Sequence, residues 1–205
     1  MRIDIVLFPG FDELDAIGPF EVFQNAAKCG AGFEVRLVSL AAPGEIVGAH
    51  GLRVIATDAL RDGLRPDLVV VPGGGWIDRG VPGTRDEAAS GKIPSWLTEL
   101  YEAGTTIAAV CTGAMLVAEA GLLHGRMAIT HHAAIEDLRS AGAKVIEARV
   151  VDDGQIVTAG GVTSGLDLAF WLVERFGGES IARTVERQME YQRRGDVWRR
   201  PKSSA

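Results

Sequence analysis

Thr105-Thr106-Ile107-Ala108-Ala109-Val110-Cys111-Thr112-Gly113-Ala114-Met115-Leu116-Val117-Ala118 changes character within three residues. Before Cys111 the chain is a short, continuous apolar run, as in a strand buried on both faces. After Gly113 it reads as a helix. Cys111 therefore falls on a sharp strand-to-helix turn, and Gly113 lets the chain double back tightly. This is the geometry of a nucleophile elbow, which projects its side chain at the carboxyl edge of a sheet. It also sets the thiol at a helix N-terminus, where the dipole and free N–H groups are expected to favour a thiolate and lower its pKa. The plain alternative is a small buried hydrophobe.

Outward from that turn, apolar runs alternate with helical patterns. Strands are expected at 2–8, 33–40, 67–71, 105–110, 144–150 and 155–158. Helices are expected at 15–28, 86–103, 113–120, 133–141, 164–176 and 180–192. This alternation predicts an α/β fold, a single-domain, three-layer, flavodoxin-like sandwich with a mainly parallel sheet. Residues 44–57 break the pattern as a hairpin around Gly48-Ala49-His50-Gly51, and Asp153-Gly154 marks a turn between strands. The domain is expected to span 1–198, with 199–205 a disordered tail.

Composition narrows the function. The chain has 205 residues, 47% hydrophobic and 23% charged, which suits a globular domain and excludes disorder. The net charge of −6 argues against a nucleic-acid or anionic-membrane surface. The basic residues between Arg183 and Lys202 read as a solvated helix face and a frayed end. No apolar run is long enough to cross a membrane, and 3–8 is too short for a signal peptide, so a cytoplasmic location with reduced thiols is expected. Two cysteines cannot make a disulfide scaffold or a thiolate zinc site. Cys29 precedes Gly30-Ala31-Gly32 at a helix exit and reads as a bystander.

Partners for Cys111 must come from other strand ends. Asp15 lies between Leu14 and Ala16-Ile17 after the first strand. An acid among apolar neighbours is desolvated, holds its proton at higher pH and can donate it. Its rival role is helix capping, which Asp12 and Glu13 suit better. His131 and His132 follow another apparent strand end, and either could act as a base. Adjacent residues point to opposite sides of a strand, and no second ligand cluster accompanies the pair, so no metal site is expected. Val71-Pro72-Gly73-Gly74-Gly75-Trp76 follows the 67–71 strand, and its N–H groups could form an anion hole. It is not a dinucleotide fingerprint, since Asp78 stands where the third glycine is needed.

Several stretches, in this order, resemble the ThiJ/PfpI superfamily, with its class I glutamine amidotransferase-like fold. They are Phe8-Pro9-Gly10-Phe11, Leu14-Asp15-x-x-Gly18-Pro19, Val71-Pro72-Gly73-Gly74 and Val110-Cys111-Thr112-Gly113. Further on come Gly121-Leu122-Leu123-x-Gly125-Arg126, Thr130-His131 and Gly160-Gly161-Val162-Thr163-Ser164-Gly165-Leu166-Asp167. Within the superfamily the sequence looks most like the isonitrile hydratases, where an aspartate replaces the usual loop glutamate. The resemblance implies that Cys111 is the nucleophile, Asp15 its acid partner and Thr112 a pocket residue beside the thiol. Gly18, Gly73, Gly74, Gly75 and His131 are then expected around the substrate. The implied reaction is hydration of an isonitrile to an N-substituted formamide through a covalent thioimidate. The implied partners are a small-molecule substrate and a second copy of the chain, with no cofactor. A glyoxalase, deglycase or peptidase-like hydrolase, with His131 as base, would use the same thiol. A non-catalytic redox or ligand sensor is the third reading.

Overall fold

The computed structural model describes residues 1–40, 42–60 and 65–201. The strands at the middle of the main sheet are short, apolar and wholly buried, which suits a sheet covered on both faces. In chain order the strands are β1 (Arg2–Leu7), β2 (Glu34–Ser39), β3 (Gly44–Val47), β4 (Arg53–Ala56), β5 (Asp58–Ala59) and β6 (Leu68–Val71). Then come β7 (Thr106–Val110), β8 (Met127–Ala128), β9 (Lys144–Val145), β10 (Val150–Asp152), β11 (Ile156–Ala159) and β12 (Val197–Arg199). The helices are α1 (Glu13–Ala26), α2 (Thr84–Ser90), α3 (Lys92–Glu102), α4 (Gly113–Glu119), α5 (Ile135–Ser140), α6 (Ser164–Gly177) and α7 (Glu179–Gln188).

An eight-stranded sheet runs β12-β10-β11-β7-β6-β1-β2-β5. Its pairs are parallel except β10 with β11. β7 lies near the centre, with Ile107 beside Val69 of β6 and Ile107 of the same strand beside Ile156 of β11. Helices α1, α6 and α7 pack together as one outer layer, and α2, α3, α4 and α5 form the other. The carboxyl ends of β1, β6 and β7 lead into the loops at 8–12, 72–76 and 111–112, so all three loops share one rim. The β3–β4 hairpin is antiparallel and separate from the main sheet.

Four expectations needed correction. The helix at 86–103 is two helices, because Gly91 takes a left-handed φ of 69° that ends α2 and begins α3. The strand at 144–150 is also divided. Lys144–Val145 pairs with β8 in a small separate sheet, while Val150–Asp152 joins the main one. The helix at 180–192 stops at Gln188. Residues 199 and 200, expected in a disordered tail, are instead held in place: β12 adds a parallel edge strand to β10, and Arg200 forms two hydrogen bonds to Asp153. Residues 202–205 of that tail lie outside the described residues. Arg183, Arg193 and Arg200 in the basic stretch pair with Glu179, Glu174 and Asp153. No helix among the described residues is long and apolar enough to cross a membrane.

Candidate active site

The elbow is a strained turn. Cys111 has a φ of 55°, the left-handed region that a side-chain-bearing residue occupies at a cost of roughly 1–2 kcal/mol. Three neighbours hold it there. Its N–H lies 3.0 Å from the Gly160 carbonyl and 3.2 Å from that of Ala159, and its own carbonyl accepts from the Thr130 hydroxyl at 2.9 Å. A Cβ on Gly113 would stand 2.2 Å from the Val71 carbonyl oxygen, so glycine is required for α4 to start against the β6 loop.

Asp15 sits in the first turn of α1 with no exposed surface. The N-cap is Asp12, whose carboxylate accepts from Leu14 N at 3.2 Å, which leaves Asp15 free for other work. Oδ2 of Asp15 accepts the Gly73 N–H at 2.9 Å. Oδ1 is buried with no hydrogen bond of ordinary geometry, and the Cys111 thiol is the side chain that interacts with this carboxyl. Burial, with the nearby Asp12 charge, holds Asp15 well above the usual carboxylate range, so it keeps its proton to higher pH than an exposed aspartate does. The desolvated acid read from the sequence is thus present.

The thiol departs from expectation. Burial first, then the facing Asp15, push Cys111 up to about 12, whereas the helix N-terminus was expected to lower it. The N–H groups of Val162 and Thr112 pull the other way and are outweighed. α4 is one short helix, and Cys111 is only 6% exposed, so water does not stabilise a thiolate there. A buried, protonated thiol beside a desolvated acid replaces the expected free thiolate.

The glycine loop also has a different role. The N–H groups of Gly73 and Gly74, expected to form an anion hole, are already bonded, the first to Asp15 and the second to Thr112 Oγ1 at 2.9 Å. Thr84 donates to the Gly74 carbonyl at 2.7 Å and lies 3.3 Å from Thr112 Oγ1, so these groups form one braced unit. A Cβ on Gly73 would stand 2.6 Å from Thr112 N and 3.0 Å from Asp15 Oδ2, which shows how closely the loop approaches both. Gly75 packs against Pro82 and Gly83 instead of facing the thiol. Gly18 is likewise displaced from the expected pocket: it is buried, and a Cβ there would meet Leu166 Cδ2 of α6 at 3.2 Å. Its smallness serves helix packing.

His131 does not reach the sulfur by a hydrogen bond. Its Nδ1 accepts the Ala133 N–H at 3.2 Å, its ring lies 4.1 Å from that of His132, and its edge rests on Gly161. Burial and His132 lower its pKa, so it is a neutral imidazole at neutral pH. The residue missed from the sequence is Val162. Its φ of 37° is unusual for a β-branched residue, and that conformation aims its N–H at the thiol. The stretch around it is one of the family-like motifs, but a backbone donor has no sequence signature of its own.

Two hollows meet at Val162. One, about 660 Å³, runs past Thr130, His131, Gly160 and Thr163. The other, about 450 Å³, lies between the start of α1 and the tip of the β3–β4 hairpin. Glu13 fixes that tip: its carboxylate accepts from His50 N at 2.6 Å and Leu52 N at 3.3 Å and meets His50 Nδ1 at 2.6 Å. Burial tends to raise Glu13, but these hydrogen bonds prevail and leave it lowered, and the same contact raises His50. Among the described residues no three His, Cys, Asp or Glu side chains are grouped as metal ligands.

A cysteine on a strand-to-helix elbow, backed by a buried acid in a doubly wound sheet, defines a class of cysteine-based α/β proteins. Residues 1–175 match the DJ-1/PfpI family, and the chain belongs to it. An isonitrile hydratase from Pseudomonas putida is 32% identical over 192 residues, covering 93% of this chain and 78% of the relative. A deglycase from Thermococcus kodakarensis is 30% identical over 162 residues, covering 78% of this chain and 89% of the relative. A ThiJ/PfpI family protein from Pseudomonas syringae superposes with a TM-score of 0.82 at 26% identity, covering 93% of this chain and 75% of that one.

Proposed function

We propose that the protein hydrates isonitriles to N-substituted formamides, with Cys111 as nucleophile and Asp15 as proton shuttle. The observation that carries this reading is the elbow cysteine backed by a wholly buried aspartate whose burial favours its protonated form. The terminal isonitrile carbon is attacked by sulfur and then needs a proton, and the Cys111–Asp15 pair provides both. The similarity to an isonitrile hydratase supports the same reaction.

In the first step the Cys111 Sγ–carbon bond forms. Asp15 gives its proton to that carbon and receives the thiol's proton, so the product is a neutral thioimidate and Asp15 is protonated again. Water then adds across the C=N bond: oxygen bonds to carbon, Asp15 protonates the nitrogen, and the water's proton returns to Asp15. Finally the carbon–sulfur bond breaks, sulfur regains a proton through Asp15, and the hydroxyl becomes the formamide carbonyl. The sum is isonitrile plus water, with the enzyme unchanged. Val162 N–H and Thr112 N–H steady the sulfur as charge develops on it during attack and departure.

Cyclohexyl isocyanide incubated with the purified protein should yield N-cyclohexylformamide. Cys111→Ala should abolish it, and methylglyoxal should be a poor substrate in parallel. Turnover of methylglyoxal without any formamide would replace hydration by the deglycase or glyoxalase reading, and formamide production by Cys111→Ala would remove the thiol from the mechanism.

A further inference from the structure

We propose that the hollow between the start of α1 and the β3–β4 hairpin tip is the subsite for an uncharged, apolar substituent on the electrophile that meets Cys111. This deepens the proposed hydration, on which it rests for the natural substrate. Three observations carry it. The hollow is lined by Leu14, Leu52 and Val162, with Asp12, Glu13 and His50 at its rim. It adjoins the reacting centre through Val162, whose N–H faces the Cys111 sulfur and which also forms a wall of the hollow. Its outer wall is a built feature, since Glu13 ties the backbone of His50 and Leu52 into place and the Ala49 N–H bonds the Phe11 carbonyl at 2.9 Å.

The apolar surface there is otherwise unused. Leu14 is 39% and Leu52 is 47% exposed, so an alkyl or aryl group placed between them removes leucine surface from water. Charge excludes other ligands. Asp12 and Glu13 border the hollow, and among the described residues that line it there is no lysine or arginine. His50, the one basic side chain present, is committed to Glu13. Arg149 lines the neighbouring hollow but is held by Asp167 at 2.6 Å and Thr163 at 3.2 Å. A carboxylate on the substrate would therefore meet like charge without a free partner. The subsite selects neutral substituents such as cyclohexyl or benzyl over acidic ones such as carboxymethyl.

Alkylation of Cys111 reads this subsite whether or not isonitriles turn over. Wild type, Leu52→Ala and Leu52→Lys are treated with N-cyclohexylmaleimide, N-methylmaleimide, iodoacetamide and iodoacetate. Modification is followed at the Cys111 peptide by mass spectrometry, with glutathione as the free-thiol reference. In wild type the cyclohexyl-to-methyl rate ratio should exceed the glutathione ratio by about tenfold. Leu52→Ala should bring that ratio back toward the glutathione value, and Leu52→Lys should relieve the penalty against iodoacetate. Leu52 is half exposed, so neither change disturbs the core. A wild-type ratio equal to that of glutathione, or a raised ratio that ignores Leu52, overturns the subsite. A preserved cyclohexyl preference in a protein that hydrates no isonitrile keeps the subsite and overturns the proposed reaction.

Discussion

Asp15 shows how a single buried atom can set both chemistry and stability. Its folded pKa lies well above that of an exposed aspartate because burial penalises the charged form. The folded state therefore binds this proton more tightly than the unfolded chain does. That contribution to stability is complete below the ordinary carboxylate range and is lost as pH rises through the folded pKa. Asparagine has the same shape, can still accept the Gly73 N–H, and never ionises. Asp15→Asn should match the wild-type melting temperature near about pH 4 and exceed it increasingly toward alkaline pH. The same variant should lose at least about a hundredfold in formamide production, because the shuttle is gone. Thermal unfolding across pH checks the first outcome, and equal melting temperatures throughout would contradict a raised pKa. Asp15 was legible in the sequence because its apolar neighbours announce burial. The state of Cys111 was not. The helix N-terminus is local and visible in the sequence, while the desolvation that overrides it comes from the whole fold. The Gly73 and Gly74 N–H groups likewise looked free, yet they are bonded by side chains 58 and 38 residues away.

At the scale of elements, the β7–Cys111–α4 unit was readable because a buried strand and a helix differ in pattern and the small residues at the join are conspicuous. Gly91 was not readable as a break. A lone glycine within a helical pattern is often tolerated, and only the structure shows its left-handed φ. The three-residue β12 has no period to detect at all. The two glycines at element junctions should respond differently to alanine. At Gly113 the new Cβ would stand 2.2 Å from the Val71 carbonyl oxygen and 2.7 Å from that of Pro72, so β6 and α4 must separate. Gly113→Ala should cost about 3 kcal/mol and displace Cys111 from Asp15. At Gly91 nothing lies within 4 Å of the position, and the penalty is the left-handed backbone alone. Gly91→Ala should cost about 1 kcal/mol and leave turnover intact. Urea unfolding of both variants, with activity measured alongside, tests the contrast, and equal losses would mean that the Gly113 clash is relieved by an easy shift.

Across the whole molecule, buried aspartates anchor arginines toward both ends of the sheet. Toward one end Asp152 of β10 and Asp153 just after it take Arg175 and Arg200, and Trp171 Nε1 donates to Asp152 at 2.8 Å. At the other, Asp4 of β1 has no exposed surface and receives Arg36 of β2 through hydrogen bonds of 2.8 and 2.7 Å, while Arg36 also lies 3.6 Å from Asp58 of β5. Such pairs specify which strands lie side by side, which hydrophobic strands of similar composition do poorly by themselves. Two opposed effects decide their energetic worth: each ion loses its hydration, and the pair regains part of that loss through its two hydrogen bonds. Arg36→Met should thus cost about 3 kcal/mol or more, because the Asp4 carboxylate stays buried without its bidentate partner. Adding Asp4→Leu should recover much of that loss, since the double variant buries no unpaired charge. The recovery, read from denaturant midpoints of the two single variants and the double, measures what leaving the carboxylate alone costs. A double variant as unstable as the two single losses summed would instead make the pair an independent contributor to stability at each position, and the β1–β2 edge would then depend on its side chains separately.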